Sequence, residues 1–261
     1  MKISFVIPTR NQAQFIAQCI DGCLAQNVAD SEVLVIDGAS TDHTRDVLAS
    51  YRNRIRWVSE KDRGQSDAIN KGVRLASGEL VAWINSDDYY AGPGVIQRLV
   101  DAFAADPRLD IAYGDGERVD VEGQRLGAYR SRAITRVAEI VTHPASFVLQ
   151  PSLVFRRQLF LDIGGLDAEL HYTMDYELWI RMFAAARATR YLPEVIALAR
   201  YHTDAKSIAA MGKQIREALA VKRRNARTLR LGPIDQARMY AGVASLGAYW
   251  LAVRLGLKRA T

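Results

Sequence analysis

The chain has 261 residues and a formal net charge of +6 at pH 7, and 49% of its residues are hydrophobic. This is typical of one globular α/β domain with an appendage. No window holds 18 uncharged apolar residues, so we expect no transmembrane helix, and the short run Ile3–Ile7 before Pro8 predicts no signal peptide. Cys19 and Cys23 lie four residues apart, which predicts reduced helix residues in a cytoplasmic protein, not a redox pair or zinc knuckle.

The positive charge is concentrated near the C-terminus. Residues 206–261 contain twelve Lys or Arg and two acids, a net charge of +10. Residues 1–205 contain 23 basic and 27 acidic residues, a net charge of −4. The basic character therefore belongs to the C-terminal segment and not to the body of the protein.

The first 84 residues alternate between short apolar runs and amphipathic stretches. Runs of this length predict buried strands, and the stretches between them predict helices. The predicted strands are Lys2–Ile7, Glu32–Ile36, Arg56–Val58 and Leu80–Ile84. The first predicted helix ends at about Leu24, and the next two helices cover Asp42–Tyr51 and Gln65–Ala76. This order predicts right-handed crossovers and a mostly parallel central sheet flanked by helices.

The pattern is less regular after the fourth predicted strand. We predict a helix at Gly94–Phe103 and a strand at Asp110–Tyr113, which is followed by a turn at Gly114–Gly116. We also predict a hairpin at Val119–Tyr129 with its turn at Glu122–Gly123, and a further helix from Met174 onward. Residues 130–141 fit no single element.

Two of the predicted strands end in acids. Asp37 follows the second strand, and Asn85-Ser-Asp-Asp88 follows the fourth. Ligands of open α/β sheets bind at the carboxyl ends of strands. Adjacent carboxylates stay ionised most easily beside a cation, so the second motif suits Mg²⁺ or Mn²⁺ with phosphates completing the shell. The alternatives are a solvated acidic loop and, for Asp37, a turn-forming aspartate before Gly38.

Four ordered motifs are similar to those of the family 2 glycosyltransferases. They are Ile7-Pro-Thr-Arg-Asn11, Val35-Ile-Asp-Gly-Ala-Ser-Thr-Asp42, Asp67-Ala-Ile-Asn-Lys-Gly72 and Trp83-Ile-Asn-Ser-Asp-Asp-Tyr89. The resemblance covers about residues 1–205 and implies the GT-A fold, which is Rossmann-like, with a nucleotide-sugar half at about 1–115 and an acceptor half at about 116–205. It implies inverting transfer from a nucleoside-diphosphate sugar. The lack of a G-x-G-x-x-G motif after the first strand independently argues against a dinucleotide oxidoreductase.

The resemblance also implies the residues of the donor site. The nucleotide-sugar contacts that it implies are Pro8, Thr9, Arg10, Asn11, Asp37, Asp67, Asn85, Ser86 and Asp87. The arginine with which many members grip the diphosphate is absent from the third motif, and we expect Lys71 or Arg63 to substitute for it. The metal ligands that it implies are Asp87, Asp88 and His202, with Mn²⁺ or Mg²⁺ as the cofactor. The chain departs from the family pattern at two positions: Asn85 replaces the first acid of the D-x-D motif, and Ile69 replaces an arginine.

Asp175 takes the position of the family's catalytic base. It lies in Met174-Asp-Tyr-Glu-Leu-Trp-Ile-Arg181, where a helix is predicted to begin. Transfer to a hydroxyl needs a carboxylate within reach of the attacking oxygen, whereas the alternative is an acid that only stabilises the helix dipole. We assign acceptor contacts to Trp179 and Gln150, and packing in the core is the preferred alternative for Trp179.

The basic C-terminal segment predicts helices that lie on an anionic membrane surface through residues 213–259. Basic residues dominate Lys213–Arg230, and Met239–Val253 is uncharged and mostly apolar. Polybasic segments gain roughly 1 kcal/mol per basic residue near such a surface. The alternatives are a solvated basic helix and helices that dock on the body or form a homo-oligomer. We expect no nucleic acid partner, because no recognition motif accompanies the basic run.

The residues and the resemblance together predict a GT-A α/β domain at 1–205 and a basic, amphipathic helical extension at 206–261. The expected activity is metal-dependent hexosyl or N-acetylhexosaminyl transfer, with a UDP-sugar favoured as donor. The expected acceptor is a glycan or lipid-linked glycan of cell-surface polysaccharide synthesis, and the expected location is the cytoplasm or the inner face of the plasma membrane. The alternatives are a non-catalytic nucleotide-sugar-binding scaffold and a sugar nucleotidyltransferase, and the missing Gly-rich phosphate loop argues against the latter.

Overall fold

The structure, a computed structural model, describes residues 1–144, 146, 148–201 and 211–254. Within these residues nine strands form one sheet: β1 (Ile3–Thr9), β2 (Ser31–Asp37), β3 (Arg56–Ser59), β4 (Leu80–Trp83), β5 (Tyr89–Tyr90), β6 (Leu109–Val119), β7 (Arg125–Tyr129), β8 (Leu153–Arg156) and β9 (Ala188–Arg200). The helices of the same residues are α1 (Ile16–Leu24), α2 (Thr44–Ser50), α3 (Gln65–Leu75), α4 (Val95–Ala105), α5 (Val137–Thr142), α6 (Arg157–Asp162), α7 (Met174–Ala185), α8 (Met211–Thr228) and α9 (Pro233–Arg254).

The sheet has a parallel half and a mixed half. Its order is β3-β2-β1-β4-β8-β6-β9-β5, with β7 paired to β6. The first four strands of this order are parallel, β8 is antiparallel to both β4 and β6, and β9 is parallel to β6. The chain first runs to one side of β1 and then returns to the other side as β4. Such a reversal of direction opens a crevice at the carboxyl ends of the two strands.

The sheet separates two hydrophobic cores, because side chains alternate between its faces. In β1, Phe5 and Ile7 belong to the core beneath α1 and α4, whereas Val6 belongs to the core beneath α3 and α7. The first core also contains both cysteines, which are free and buried. The thiol of Cys19 donates a hydrogen bond to the carbonyl oxygen of Asn85 at 3.4 Å. This contact supports the acidic motif from below.

β6 corrects one prediction, since it continues through the turn that the sequence predicts at Gly114–Gly116. Gly116 pairs with Ala197 of β9, and a Cβ atom at Gly116 would lie 2.8 Å from the Ala197 carbonyl oxygen. The glycine is therefore needed for the close approach of a neighbouring strand and not for a turn. The predicted hairpin is confirmed, with Gly123 at φ 85° in the connection between β6 and β7.

The two C-terminal helices pack on the body of the protein. Val221 and Ala226 of α8 and Met239 of α9 are buried in the core that contains α7. Arg136, immediately before α5, forms an ion pair with Asp235 of α9 at 2.9 Å. Of the alternatives for this segment, the structure therefore supports helices that dock on the body. Among the described residues, no helix is long and apolar enough to cross a membrane.

Candidate active site

A cleft of about 850 Å³ opens at the carboxyl ends of β1 and β4. One wall comes from the first half of the sequence and includes Pro8, Thr9, Arg10, Asn85, Ser86, Asp87 and Asp88. Further lining residues come from the second half of the sequence and include Gln150, Thr173, Asp175, Tyr201 and Lys222. The cleft thus brings together most of the site residues that the sequence predicts.

The acidic motif after β4 is held in place by hydrogen bonds. The Asn85 side-chain oxygen accepts hydrogen bonds from the Trp83 indole at 3.1 Å and from the Gln65 amide at 2.8 Å. Asp88 is buried and accepts the backbone N–H of Arg200 at 2.9 Å, while Asp87 lies half-buried on the cleft wall. Burial and the neighbouring Asp87 carboxylate raise the pKa of Asp88.

Asp87 and Asp88 fit the role of cation ligands as a pair. The described residues contain no group of three or more His, Cys, Asp or Glu side chains arranged around a metal. Two adjacent carboxylates nevertheless suit a hard divalent cation that takes its other oxygen ligands from a diphosphate and water. Burial and, after it, the neighbouring Asp87 carboxylate raise the pKa of Asp88, and a bound cation would favour the ionised form of both carboxylates. The third predicted ligand, His202, lies outside the described residues.

Asp37 and Asn11 brace the loops beside the cleft. The Asp37 carboxylate is fully buried and accepts hydrogen bonds from the Ser59 hydroxyl at 2.6 Å and from the backbone N–H of Ser40 at 3.1 Å. The Asn11 side chain accepts the backbone N–H of Thr41 at 2.8 Å. Neither Asp37 nor Asn11 is among the residues that line the cleft. Their observed contacts join the turn after β1 to the turn after β2.

Asp67 and Lys71 of α3 do not line the cleft either. Asp67 pairs with Arg63 at 3.3 Å, and Lys71 forms an ion pair with Glu60. Both positions follow the family motif in sequence, but their side chains are directed to neighbouring loop residues. Direct donor contacts from these two residues therefore find no support in the geometry of the cleft.

Asp175 lies in the first turn of α7 and lines the same cleft as the acidic motif. Its carboxylate accepts the backbone N–H of Tyr176 at 2.7 Å. Burial raises the pKa of the Asp175 carboxyl, and the nearby Glu217 carboxylate raises it further. A carboxyl with a raised pKa is better suited to accept a proton near neutral pH than an ordinary aspartate.

Glu217 of α8 holds the loop that precedes Asp175, a role that the sequence reasoning missed. Its carboxylate accepts the backbone N–H groups of His171, Tyr172 and Thr173 at 3.1, 2.8 and 2.8 Å, and the Thr173 hydroxyl at 2.8 Å. Although burial alone raises it, the pKa of the Glu217 carboxyl is lowered by these donors. The available signal in the sequence was that Glu217 is the single acid among the basic residues of Lys213–Arg230.

Arg200 ties the end of β9 to the acidic motif. Its guanidinium donates to the Asp87 carbonyl oxygen and to the Gln18 side-chain oxygen, the latter at 2.7 Å. It also stacks between the rings of Phe15 and Tyr89, at 4.5 and 5.0 Å from their centroids. Together with its backbone bond to Asp88, these contacts fix the wall that carries the two carboxylates.

The two predicted acceptor contacts have different surroundings. Trp179 is buried in the core, with its ring centroid 6.1 Å from that of Trp83, so it offers no surface for stacking on a sugar. Gln150 lines the cleft and donates to the Trp83 carbonyl oxygen. Its buried side-chain oxygen has no hydrogen-bond partner among the described residues. The prediction for Trp179 is therefore corrected to core packing, while Gln150 remains a candidate for acceptor contact.

Comparison with known proteins identifies the family of the chain. The family model described as Glycosyl transferase family 2 matches residues 4–164, which is more than half of the chain. The chain belongs to glycosyl transferase family 2. This membership confirms the family resemblance of the sequence motifs.

Relatives of this family 2 glycosyltransferase extend the comparison. An uncharacterized glycosyltransferase of Rickettsia conorii is 26% identical over 209 residues, which are 77% of this chain and 34% of that protein. The chain thus spans about a third of the length of that relative. A PGL/p-HBAD biosynthesis glycosyltransferase of Mycobacterium bovis is 29% identical over 199 residues, 74% of this chain and 75% of that protein.

Solved structures share the fold of this glycosyltransferase. S. aureus TarS 1-349 in complex with UDP-GlcNAc has a TM-score of 0.64 at 17% identity, covering 94% of this chain and 80% of that one. The mannosyltransferase PcManGT from Pyrobaculum calidifontis in complex with GDP-Man and Mn²⁺ has a TM-score of 0.65 at 19% identity, covering 97% and 75%. At these identities the likeness concerns the fold alone, and it confirms the predicted GT-A class.

Proposed function

We propose that this protein transfers a sugar from a nucleoside-diphosphate sugar to a hydroxyl group, with inversion at the anomeric carbon. The observation that carries the proposal is that Asp87 and Asp175, from opposite halves of the sequence, line one cleft. A donor diphosphate needs positive charge beside it, and an attacking hydroxyl needs a base across from it. Membership of family 2 supports this reaction class.

The donor occupies the wall formed by the end of β1 and the acidic motif. Pro8, Thr9 and Arg10 supply the turn against which the nucleotide lies. Asp87 and Asp88 hold a divalent cation, Mn²⁺ or Mg²⁺, which neutralises the leaving diphosphate when it is bound. The UDP-GlcNAc of TarS and the GDP-Man with Mn²⁺ of PcManGT support a metal-bound sugar nucleotide, with a UDP-sugar favoured here.

The acceptor occupies the opposite wall, where Asp175 acts as the base. Asp175 takes the proton of the acceptor hydroxyl as its oxygen attacks the anomeric carbon. The bond from that carbon to the diphosphate oxygen breaks on the far side, so the configuration inverts. Gln150 lines the cleft, and a rotation of its side chain would let the buried oxygen, which has no partner among the described residues, accept a hydrogen bond from an acceptor hydroxyl. The proposed acceptor is a glycan or a lipid-linked glycan of cell-surface polysaccharide synthesis, and the transferred sugar is a hexose or N-acetylhexosamine.

A donor panel tests this proposal. UDP-GlcNAc, UDP-glucose and GDP-Man are incubated with the protein and a lipid-linked glycan acceptor in Mn²⁺, in Mg²⁺ or in a chelator, and release of the nucleoside diphosphate is measured. We expect turnover of one donor class in the presence of metal and its loss with the chelator. Donor binding without turnover in every metal would contradict the proposal and favour a non-catalytic nucleotide-sugar-binding scaffold.

The Asp175→Asn variant tests the assignment of the base. The loss of a general base typically lowers the rate by roughly 10²–10⁴-fold, because the amide cannot accept the hydroxyl proton. Asp101→Asn, on the exposed surface of α4, makes the same change of charge away from the cleft and should keep the wild-type rate. Near-normal turnover by Asp175→Asn would show that another group is the base.

A further inference from the structure

A line of basic side chains runs along the exposed face of α8. We call it the basic stripe, and its members are Lys213, Arg216, Arg223, Arg227 and, in the turn after the helix, Arg230. Steps of three, seven and four residues place Lys213, Arg216, Arg223 and Arg227 on one side of the helix, and Arg230 follows them in the turn. Ala220 fills the gap in the stripe and is also exposed. The stripe covers about 21 Å from Lys213 to Arg227 at the usual helical rise.

The charge of the basic stripe is not compensated within the described residues. None of its five members forms an ion pair with an acid in this part of the chain. Arg224, which lies beside the stripe, instead pairs with Asp167 at 3.1 Å and with Glu177 at 2.8 Å. Ordinary solvated helix faces intersperse charges of both signs. A single-sign line is what a negatively charged partner would match.

The other side of α8 belongs to the cleft. Gln214, Ala218 and Lys222 of this helix line the same cleft as Asp175. The helix therefore has one side on the proposed acceptor wall and its basic stripe in solvent. A partner bound to the stripe would lie next to the acceptor side of the cleft.

Exposed apolar side chains accompany the basic stripe. Ile234, four residues after Arg230, is 70% exposed, and Tyr240 is 45% exposed. The Arg223 guanidinium lies 5.6 Å from the centroid of the Tyr240 ring. Basic residues beside an exposed tyrosine and an aliphatic side chain match the interfacial region of an anionic bilayer, where phosphates meet acyl chains.

We infer that the basic stripe docks this protein on an anionic lipid surface. The phosphates of the lipid headgroups neutralise the stripe, and Ile234 and Tyr240 enter the interface. Docking by α8 would hold the acceptor wall close to that surface, which suits an acceptor carried by a lipid. This last step rests on the proposed function, whereas the docking itself rests on the exposed surfaces of α8 and the first turns of α9.

Vesicle co-sedimentation of the full chain tests the docking. Vesicles of phosphatidylcholine alone are compared with vesicles that contain increasing shares of phosphatidylglycerol. We expect binding only to the phosphatidylglycerol vesicles and its release by salt, because salt screens exposed charges. Each basic residue raises the partition of the protein from water onto the anionic vesicle surface roughly fivefold. The triple variant in which Arg216, Arg223 and Arg227 are replaced by Gln should therefore bind about a hundredfold more weakly.

A second triple variant is the matched control. Arg45, Arg52 and Arg54→Gln removes the same charge from the exposed surface around α2 and should keep vesicle binding. The melting temperatures of both variants and their stabilisation by UDP check that the fold and donor site are intact. Three results would each overturn the inference. They are no binding to phosphatidylglycerol vesicles, equal binding by both variants, and tighter binding of the protein to duplex DNA than to vesicles. These readouts need no turnover, so they can fail while sugar transfer stands.

Discussion

At the scale of single residues, the proposed base is controlled by a carboxylate 42 positions further along the chain. Glu217 holds the three backbone N–H groups of residues 171–173, and this loop leads directly into the first turn of α7. The same carboxylate raises the pKa of Asp175 through its negative charge, in addition to the larger effect of burial. Position and proton affinity of the base thus depend on one side chain that does not react.

Glu217→Gln should change both properties at once. Removal of the negative charge lowers the pKa of Asp175, so the acidic limb of the kcat/KM profile should move to lower pH. The neutral amide also holds the loop less firmly, and misplacement of the base should reduce kcat/KM at neutral pH by roughly ten- to a hundredfold. The measurement is a pH profile of donor turnover.

Asp235→Asn is the matched control, since Asp235 is the other acid of residues 206–261. It pairs with Arg136 and is not among the residues that line the cleft. Its pH profile should therefore superpose on that of the wild type. An unchanged acidic limb in Glu217→Gln would show that Glu217 does not act on the charge of Asp175.

At the scale of elements, α8 is fastened to the body by a buried lysine. The Lys222 ammonium donates to the carbonyl oxygen of Val141 at 2.8 Å, to that of His143, and to the Tyr176 hydroxyl at 2.9 Å. Its side chain therefore joins α8 to the end of α5 and to α7. Burial lowers the pKa of Lys222 from 10.5 to about 8.

This lowered pKa predicts a rise of stability with pH. Between about pH 8 and 10.5 the unfolded chain keeps a proton on Lys222 that the folded chain has released. The free energy of unfolding should then increase across this window, relative to Lys222→Met, by on the order of 3 kcal/mol. Urea unfolding of both proteins at several pH values measures the difference. A difference that stays constant from pH 7 to 11 would refute the assignment.

The elements also show how far the sequence could be read. Each predicted strand of the first 84 residues is a strand of the sheet. The runs that form β1, β2 and β4 are largely buried, whereas the third run forms the half-exposed edge strand β3. The sequence misread Gly114–Gly116 as a turn, because a glycine that admits a neighbouring strand looks the same as one that bends the chain. Residues 130–141, which fitted no single element, include all but the last residue of the short helix α5.

The sequence predicts site residues well where their side chains directly follow the ends of strands. It predicts them poorly where the position of a side chain is set by contacts that local patterns do not specify. Pro8, Asn85 and Asp87 reach the cleft from the ends of β1 and β4. Asp67 and Lys71 match the family motif, but they pair with Arg63 and Glu60 of the preceding loop and are not among the residues that line the cleft. Glu217 was not found, because a contact with residues 171–173 depends on how α8 docks, which local patterns do not specify.

At the scale of the whole molecule, the C-terminal helices complete the core. Val221, Ala226 and Met239 share a buried cluster with Trp83 of the sheet and Trp179 of α7. The boundary predicted between residues 205 and 206 therefore marks a change of net charge in the sequence. The hydrophobic core includes residues from both sides of this boundary. A chain without these helices exposes the apolar side chains that they cover.

A chain that ends at residue 205 should consequently unfold at a lower temperature than the full chain. Loss of one buried Met such as Met239 already costs about 2–5 kcal/mol, and the truncation also removes the bonds of Glu217 and Lys222. Calorimetry of both proteins measures the two midpoints. The full chain with Arg216, Arg223 and Arg227→Gln, which loses charge but no core, should keep the wild-type midpoint. Equal midpoints for the truncated and full chains would show that residues 1–205 are stable alone.

The two buried cysteines have a practical consequence. Burial, followed by the neighbouring Cys23 and the carboxylates of Asp88 and Asp87, raises the pKa of the Cys19 thiol, so it yields almost no thiolate at neutral pH. Thiol-reactive dyes attack the thiolate, and the native protein should therefore give little background labelling. Ala220→Cys would place one reactive thiol in solvent among arginines, which favour its ionised form. A fluorophore attached there would report on contacts of α8 without removal of either native cysteine.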